Sequence, residues 1–397
     1  MTAQFPVQIA LQMPAHSAVG HLLTYAASTR LAPGTLVRVP LGKRDMLGVV
    51  WDYPAATEEP AAPESTLQLR PVTSVLEGIA PLPDAWRRLV AFAARYYQRS
   101  IGEIAMAALP PQLRELTAEQ LARRLKPAKA KLAAAAQAGV APKLVALSPE
   151  QEQVVQQMAA SAGAGRPDAG RPFLLYGSTG SGKTEVYLRC VQAALDADPA
   201  AQALVMVPEI NLTPQLEARF VERFAPQYGA AAVVSMHSGM TGPQRLKSWL
   251  AAHTGQARIV LGTRMAVFAS LPGLKVIVVD EEHDASYKQQ EGARYSARDL
   301  AIWRARAQGA QVILGSATPS FESWHASRPA TEQDPGGRYL RLHMPSRIGS
   351  AALPKVRLVD MTQQPKRAVF SPPLLAAITE RVQRGEQSLV LLNRRGF

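Results

Sequence analysis

Two hydrophobic patterns divide the chain. Up to residue 52, the segments VQIALQM (7–13), TLVRVPLG (35–42) and MLGVVWD (46–52) alternate or run apolar and are broken by proline and glycine. That pattern predicts short strands of a small sheet or barrel. From Pro83 to Pro110, apolar residues recur at three- and four-residue spacing, which predicts helices. From Phe173 onward the period changes again. The runs FLLY, ALVMV, AAVVSM, RIVLG, VIVVD, VILG and SLVLLN alternate with helical stretches. Runs apolar throughout suit parallel strands covered by helices on both faces. In such sheets the ligand sits at the carboxyl ends of the strands. Three stretches punctuate the pattern: a Pro/Ala/Glu-rich loop at 53–65, a helix-forming low-complexity stretch at 126–143, and a Gly/Ala/Pro loop at 159–172.

Composition narrows the classes. The 397 residues are 47% hydrophobic, enough for two or three units with cores of their own. No run approaches the ~18 apolar residues of a membrane span, and the N-terminus lacks the basic-then-apolar order of a signal peptide. One cysteine, Cys190, leaves no partner for an intramolecular disulfide or a cysteine-only zinc site, so a reducing cytosol is the expected compartment. The net charge of +13 points to an anionic partner, of which nucleic acid is the commonest.

The chemistry lies at the ends of the apolar runs. Gly177, Ser178, Thr179, Gly180, Ser181, Gly182, Lys183 and Thr184 complete the pattern G-x4-G-K-[ST] between the run FLLY and a helical stretch. Its glycines let backbone N–H groups curl round phosphates at a helix N-terminus. Lys183 would reach the β- and γ-phosphates, and Thr184 would bind Mg2+. Asp280, Glu281, Glu282 and His283 end the run VIVVD. Asp280 is expected to hold the Mg2+ through water and Glu281 to polarise the attacking water; a solvated acidic loop is the plain alternative. His283 has two open readings, a relay of nucleotide state or a satisfied core histidine. Ser316 and Thr318, in the GSAT that follows VIL, place two hydroxyls where the acidic site could be coupled to a second ligand. Thr213 and Gln215, and Thr263 and Arg264, sit in strand-end loops suited to a sugar-phosphate backbone, although ordinary loop chemistry gives the same residues. The segment 284–300 interleaves Tyr287 and Tyr295 with Lys288, Arg294 and Arg298. Rings that stack on bases beside cations that take phosphates make it a candidate single-strand contact and coupling loop; the alternative is a surface loop with packed tyrosines.

Taken together, LLYGSTGSGKTEVYL, ALVMVPEINLTPQ, IVLGTRMAVF, VIVVDEEHDASYKQQEGARYSARDLA and VILGSATPS resemble the PriA family, the primosomal N′ proteins. These are bacterial replication-restart 3′-to-5′ DNA helicases of superfamily 2. The resemblance implies an α/β RecA-like (P-loop NTPase) helicase lobe with a parallel sheet, preceded by a small β-rich N-terminal DNA-binding domain. It implies boundaries at 1–110 for a 3′-DNA-binding domain, 111–146 for a linker or reduced winged helix, 147–330 for the first lobe, and 331–397 for the connection and start of a second lobe. It implies ATP and Mg2+ as cofactors, Gln151 as an adenine contact, and Leu23, Thr24, Gly42 and Arg70 around a DNA 3′ end. Leu23-Thr24 stands where the family commonly has Phe-Asp, which removes an acceptor for a terminal 3′ hydroxyl, and Arg70 stands near a family lysine. Implied partners are forked and single-stranded DNA, primosome proteins and single-strand-binding protein, for a monomer in the bacterial cytoplasm at the nucleoid, with no membrane. The family's zinc-binding cysteines and most of its second lobe have no counterpart here. Poor ATP turnover and weak unwinding are therefore expected of this chain, with a non-catalytic fork-binding scaffold as the alternative function.

Overall fold

A computed structural model describes residues 5–13, 22–53, 69–116, 119–121, 145–161, 170–209, 212–348, 355–365 and 368–392. The low-complexity stretch at 126–143 lies outside them, as do most of the expected loop at 53–65, residues 162–169 and the terminal 393–397.

The alternating N-terminal segments become β1 (Phe5–Leu11), β2 (Leu23–Ala27), β3 (Leu36–Leu41), β4 (Arg44–Asp52) and the short β5 (Ser74–Val75). They form an antiparallel sheet in the order β2-β1-β4-β3-β5. The chain at 70–72 also bonds β2, with Ala26 N donating to Arg70 O and Val72 N donating to Ala26 O, each at 2.9 Å. The segment 70–75 therefore touches both outer strands and closes the sheet on itself, which leaves few free edges. Val7, Ile9, Val37, Val39 and Val50, on alternate strand positions, fill its interior.

Helices α1 (Asp84–Tyr96), α2 (Ile101–Ala108) and α3 (Gln112–Glu115) follow. Ser100 caps α2 by accepting from Glu103 N at 3.1 Å. The apolar stripe of α1 (Trp86, Leu89, Val90, Ala93) faces away from solvent, in one core with Trp249, Phe268 and Leu300 of the next domain.

That domain runs α4 (Pro149–Ser161), β6 (Phe173–Gly177), α5 (Lys183–Ala197), β7 (Gln202–Met206), α6 (Pro214–Tyr228), β8 (Val233–Met236), α7 (Gly242–His253), β9 (Ile259–Gly262), β10 (Leu274–Val279), α8 (Ala297–Gln308), β11 (Gln311–Ser316), α9 (Phe321–Ala326) and β12 (Leu340–Met344). Its seven strands are all parallel, in the order β12-β6-β11-β10-β7-β9-β8. Separate apolar clusters cover the two faces, as the uninterrupted apolar runs predict.

Two expectations change. The lobe does not end at 330: β12 pairs with β6 from Leu340↔Phe173 to Met344↔Gly177, and Ile348 N donates to Gly180 O at 3.0 Å. SLVLLN forms no strand over its described residues 388–392. Residues 1–348 make one compact unit and 349–397 a second. The second contains α10 (Pro372–Gln383), capped by Ser371, which accepts from Leu374 N. Among the described residues no helix is long and apolar enough to cross a membrane.

Candidate nucleotide site and nucleic-acid interface

The phosphate loop joins β6 to α5 at the carboxyl end of the sheet. Gly182 holds a left-handed φ of 84°, and a Cβ there would meet Gln151 Nε2 and Ile348 Cδ1 at 2.4 Å, so glycine is required on both counts. Lys183 is buried, and its ammonium donates to Gly177 O at 2.8 Å and reaches Ser178 O at 3.4 Å. These are the carbonyls a phosphate would replace. The hydroxyls of Ser178 and Ser181 are buried with no hydrogen-bond partner. Buried donors without acceptors cost free energy, and phosphate oxygens would satisfy both, so the residues present fit a nucleotide. Gln151, expected at the adenine, contacts the phosphate loop. It is 2% exposed, its Nε2 donates to Gly182 O at 3.2 Å, and it shares a reciprocal cap with Ser148.

Asp280 follows β10 and is half-buried. Burial, the largest influence, holds its carboxyl above the usual range, against the opposing pull of a hydrogen bond from Tyr187 and the charge of Lys183. The Tyr187 hydroxyl, on α5, donates to Asp280 Oδ1 at 2.9 Å. Room for that hydroxyl exists only because residue 315 is glycine, since a Cβ there would lie 1.6 Å from it. Thr184, in the first turn of α5, and Asp280 are the residues that would hold Mg2+; one hydroxyl and one carboxylate suit an ion that keeps several waters. Glu281 has a left-handed φ of 46°, and its carboxylate lies 3.6 Å from His283 Nδ1. His283 Nδ1 lies 2.8 Å from Ser316 Oγ, and its Nε2 lies 3.4 Å from Thr318 Oγ1. Ser316 Oγ also accepts from Thr318 N at 3.0 Å. The acidic segment and the GSAT segment are thus joined by one hydrogen-bonded chain.

Sequence reasoning missed Glu282. Its side chain is fully buried and accepts from Ser320 N at 2.7 Å, Ser320 Oγ at 3.0 Å, Ser323 Oγ at 2.8 Å and Arg298 NH1 at 3.2 Å. It anchors α9 to the acidic segment. It also occupies Arg298, which the sequence had offered to phosphates and which pairs with Asp299 as well. Only its place as the second Glu of the acidic run hints at this role.

On the nucleic-acid side, Thr213 caps α6, its Oγ1 accepting from Leu216 N at 3.3 Å, and Gln215 is exposed in the first turn. Thr263 is buried at the end of β9. Arg264 donates to Ser286 O at 2.7 Å and Lys288 O at 3.3 Å, so part of its guanidinium fastens the loop after the acidic segment. The expectation that Tyr287 stacks on bases is overturned: it is 2% exposed and its hydroxyl donates to Asp280 O at 2.6 Å. Tyr295 is half-buried, edge-on to Phe268 at 5.0 Å, and burial pushes its phenol up to about 12. Lys288 and Arg294 are exposed, and the Lys288 ammonium lies 5.5 Å from the centre of the Tyr97 ring. In the β-rich domain, Tyr25 OH donates to Pro40 O at 3.1 Å, and the charge of Arg70 is felt at Tyr25. The start of β2 with Leu23 and Thr24, the β3–β4 turn with Gly42 (φ 62°), and exposed Arg70 therefore share one end of the barrel.

A parallel α/β lobe with a phosphate loop, an acidic segment and a hydroxyl segment at its carboxyl edge, behind a closed β domain, defines a P-loop lobe of the helicase class with an appended β-rich module. Comparison with known proteins agrees. Residues 148–326 match the DEAD/DEAH box helicase family and residues 8–110 match the 3′ DNA-binding domain of PriA. The replication restart protein PriA of Bacillus subtilis (strain 168) is 40% identical over 58% of this chain and 27% of its own length. The PriA proteins of Rickettsia felis and Treponema pallidum are each 32% identical over 92% of this chain and 50% of their own length. Among solved structures, the DUF1998 helicase MrfA bound to DNA is similar over 50% of this chain and 27% of its own, at 20% identity and a TM-score of 0.36. The chain is thus similar to the PriA replication restart proteins, and it spans about half the length, or less, of these curated relatives.

Proposed function

We propose that the chain is the nucleotide- and DNA-binding part of an ATP-dependent 3′-to-5′ helicase that acts at forked DNA in replication restart. What supports it is the convergence, at one edge of the sheet, of an unsatisfied phosphate cradle, the half-buried Asp280 carboxylate and a hydrogen-bonded bridge to the GSAT segment. ATP would exchange the carbonyls of Gly177 and Ser178 for its phosphates at Lys183, and the hydroxyls of Ser178 and Ser181 would gain acceptors. Bound Mg2+ would neutralise charge on the β- and γ-oxygens. Thr184 and Asp280 would hold that ion. Glu281 aligns the attacking water, and His283, hydrogen-bonded to Ser316 and Thr318, carries the state of the site toward the rest of the machine. Thr213, Gln215, Lys288 and Arg294 would line the strand, with Leu23, Thr24, Gly42 and Arg70 at the 3′ end. Primosome proteins and single-strand-binding protein are the partners this role implies, in the bacterial cytoplasm.

The test is binding of a fluorescent ATP analogue with Mg2+, and of forked DNA, to the full chain and to Lys183→Ala. Loss of nucleotide binding with DNA binding retained is expected for the variant. A wild-type chain that binds fork DNA but no nucleotide would replace the motor with the scaffold.

A further inference from the structure

The described residues contain three non-glycine residues with positive φ: Gln98 (54°), Glu281 (46°) and Arg294 (45°). Such backbone costs energy, and clusters of it mark functional sites. Glu281 belongs to the acidic segment and Arg294 to the loop after it. Gln98 lies in the α1–α2 turn of the N-terminal domain, where its left-handed backbone caps α1: Gln98 N donates to Arg95 O at 3.4 Å and Arg99 N to Ala94 O at 2.8 Å, which fixes the direction in which the turn leaves the helix.

Contacts join the three. Tyr97, in that turn, accepts from Ser296 N through its hydroxyl at 3.0 Å, and Arg99 donates to Gly292 O at 2.8 Å. The Tyr97 ring carries Lys288 on its face, and Phe92 of α1 stacks on Trp303 of α8 at 4.3 Å. The loop these residues hold is itself closed, with Gln289 N donating to Tyr295 O at 2.8 Å and a β-bridge between Lys288 and Ser296. At its inner end Tyr287 OH grips Asp280 O. The turn Tyr97-Gln98-Arg99 is thus two contacts from the backbone of the residue that would hold Mg2+.

We propose that this turn is a positioning element that couples DNA on the N-terminal domain to nucleotide in the lobe, with Tyr97 and Arg99 setting the loop 284–296 and, through Tyr287, the acidic segment. This rests on the nucleotide and DNA sites of the proposed function. If DNA favours one setting of the turn, it shifts nucleotide affinity by some factor, and nucleotide shifts DNA affinity by the same factor. Tyr97→Phe keeps the ring and its packing but removes the acceptor for Ser296 N; Arg99→Ala removes the donor to Gly292 O.

The experiment measures, on the full chain, affinity for a fluorescent non-hydrolysable ATP analogue with Mg2+, with and without saturating forked DNA, and the reciprocal DNA titration. The wild-type coupling factor is expected within the usual range of about 5- to 150-fold, equal in both directions. In Tyr97→Phe and in Arg99→Ala it should fall toward one, while each ligand alone binds as in wild type. Weakening of either ligand alone would indicate a merely structural role and overturn the proposal. So would variants that keep the wild-type factor, or a wild-type chain that binds both ligands independently. A wild-type chain that binds only one of them refutes the underlying sites instead.

Discussion

Glu282 offers the sharpest test of how the acidic segment is built. Its carboxylate is fully buried, is paired with Arg298 and accepts three further hydrogen bonds from Ser320 and Ser323. Glu282→Ala would strand the Arg298 guanidinium at 19% side-chain exposure, with Asp299 as its remaining acidic partner, and leave the N-terminus of α9 without its anchor. Four charge-assisted bonds at about 1.5–3 kcal/mol each would sum to more than the change can cost, because Ser320 Oγ also accepts from Ser323 N at 3.3 Å and the hydroxyls can rotate toward other acceptors. Removing one partner of a buried ion pair costs about 3–5 kcal/mol, and that is the expected loss. Glu282→Gln keeps an acceptor for Ser320 N but faces Arg298 with a second donor; its loss should be about 2 kcal/mol, one charge-assisted bond. Urea unfolding followed by circular dichroism gives both numbers. The order Ala greater than Gln, both well above 1 kcal/mol, is required. An alanine variant within 1 kcal/mol of wild type would show that Glu282 does not hold α9, and the account of this segment would fail with it.

Three further outcomes follow from the same geometry. Asp280 has its carboxyl raised by burial, so its ionised form weakens the nucleotide-free fold: its contribution is favourable below the unfolded pKa and is lost as pH rises through the folded pKa. Asp280→Asn should therefore be more stable than wild type at neutral pH without nucleotide, with the advantage shrinking toward pH 4 in thermal unfolding, even though it loses its Mg2+ ligand; a destabilised variant would contradict the buried-charge account. Cys190 is buried with its thiol pushed up to about 12, so a thiol reagent such as dithionitrobenzoate should react only as the lobe opens, at a rate that tracks urea concentration; immediate labelling would refute this. Gln98→Gly should stabilise by about 0.5–1 kcal/mol, the relief of a left-handed residue less the entropy glycine brings, measured by the urea midpoint; a loss would mean that Gln98 Nε2, which donates to Arg95 O at 2.9 Å, matters more than its backbone.

What the chain disclosed in advance divides along a physical line. The central strands were legible because burial on both faces leaves them apolar throughout, and so was the position of the phosphate loop, Asp280 and the Ser316–Thr318 pair at their carboxyl ends. β12 was hidden by its place at the sheet edge: LRLHM leaves Arg341 half-buried and His343 exposed while burying Leu342 and Met344, an alternation unlike the runs inside the sheet. SLVLLN shows the converse, since apolar composition makes a strand only where another strand lies alongside, and its described residues pair with none. Tyr287 carries the harder lesson. A ring among cations fits a base-stacking loop, yet its phenol found the backbone of Asp280, seven residues earlier, and nothing in the local pattern separates those fates. The same holds for Glu282, indistinguishable in sequence from its half-buried neighbour Glu281, and for Tyr97, whose partner Ser296 lies 199 residues away. Contacts of that kind are decided by which surfaces the fold brings together. Partners such as those of Glu282, Tyr287 and Tyr97 are therefore revealed only by the packed chain.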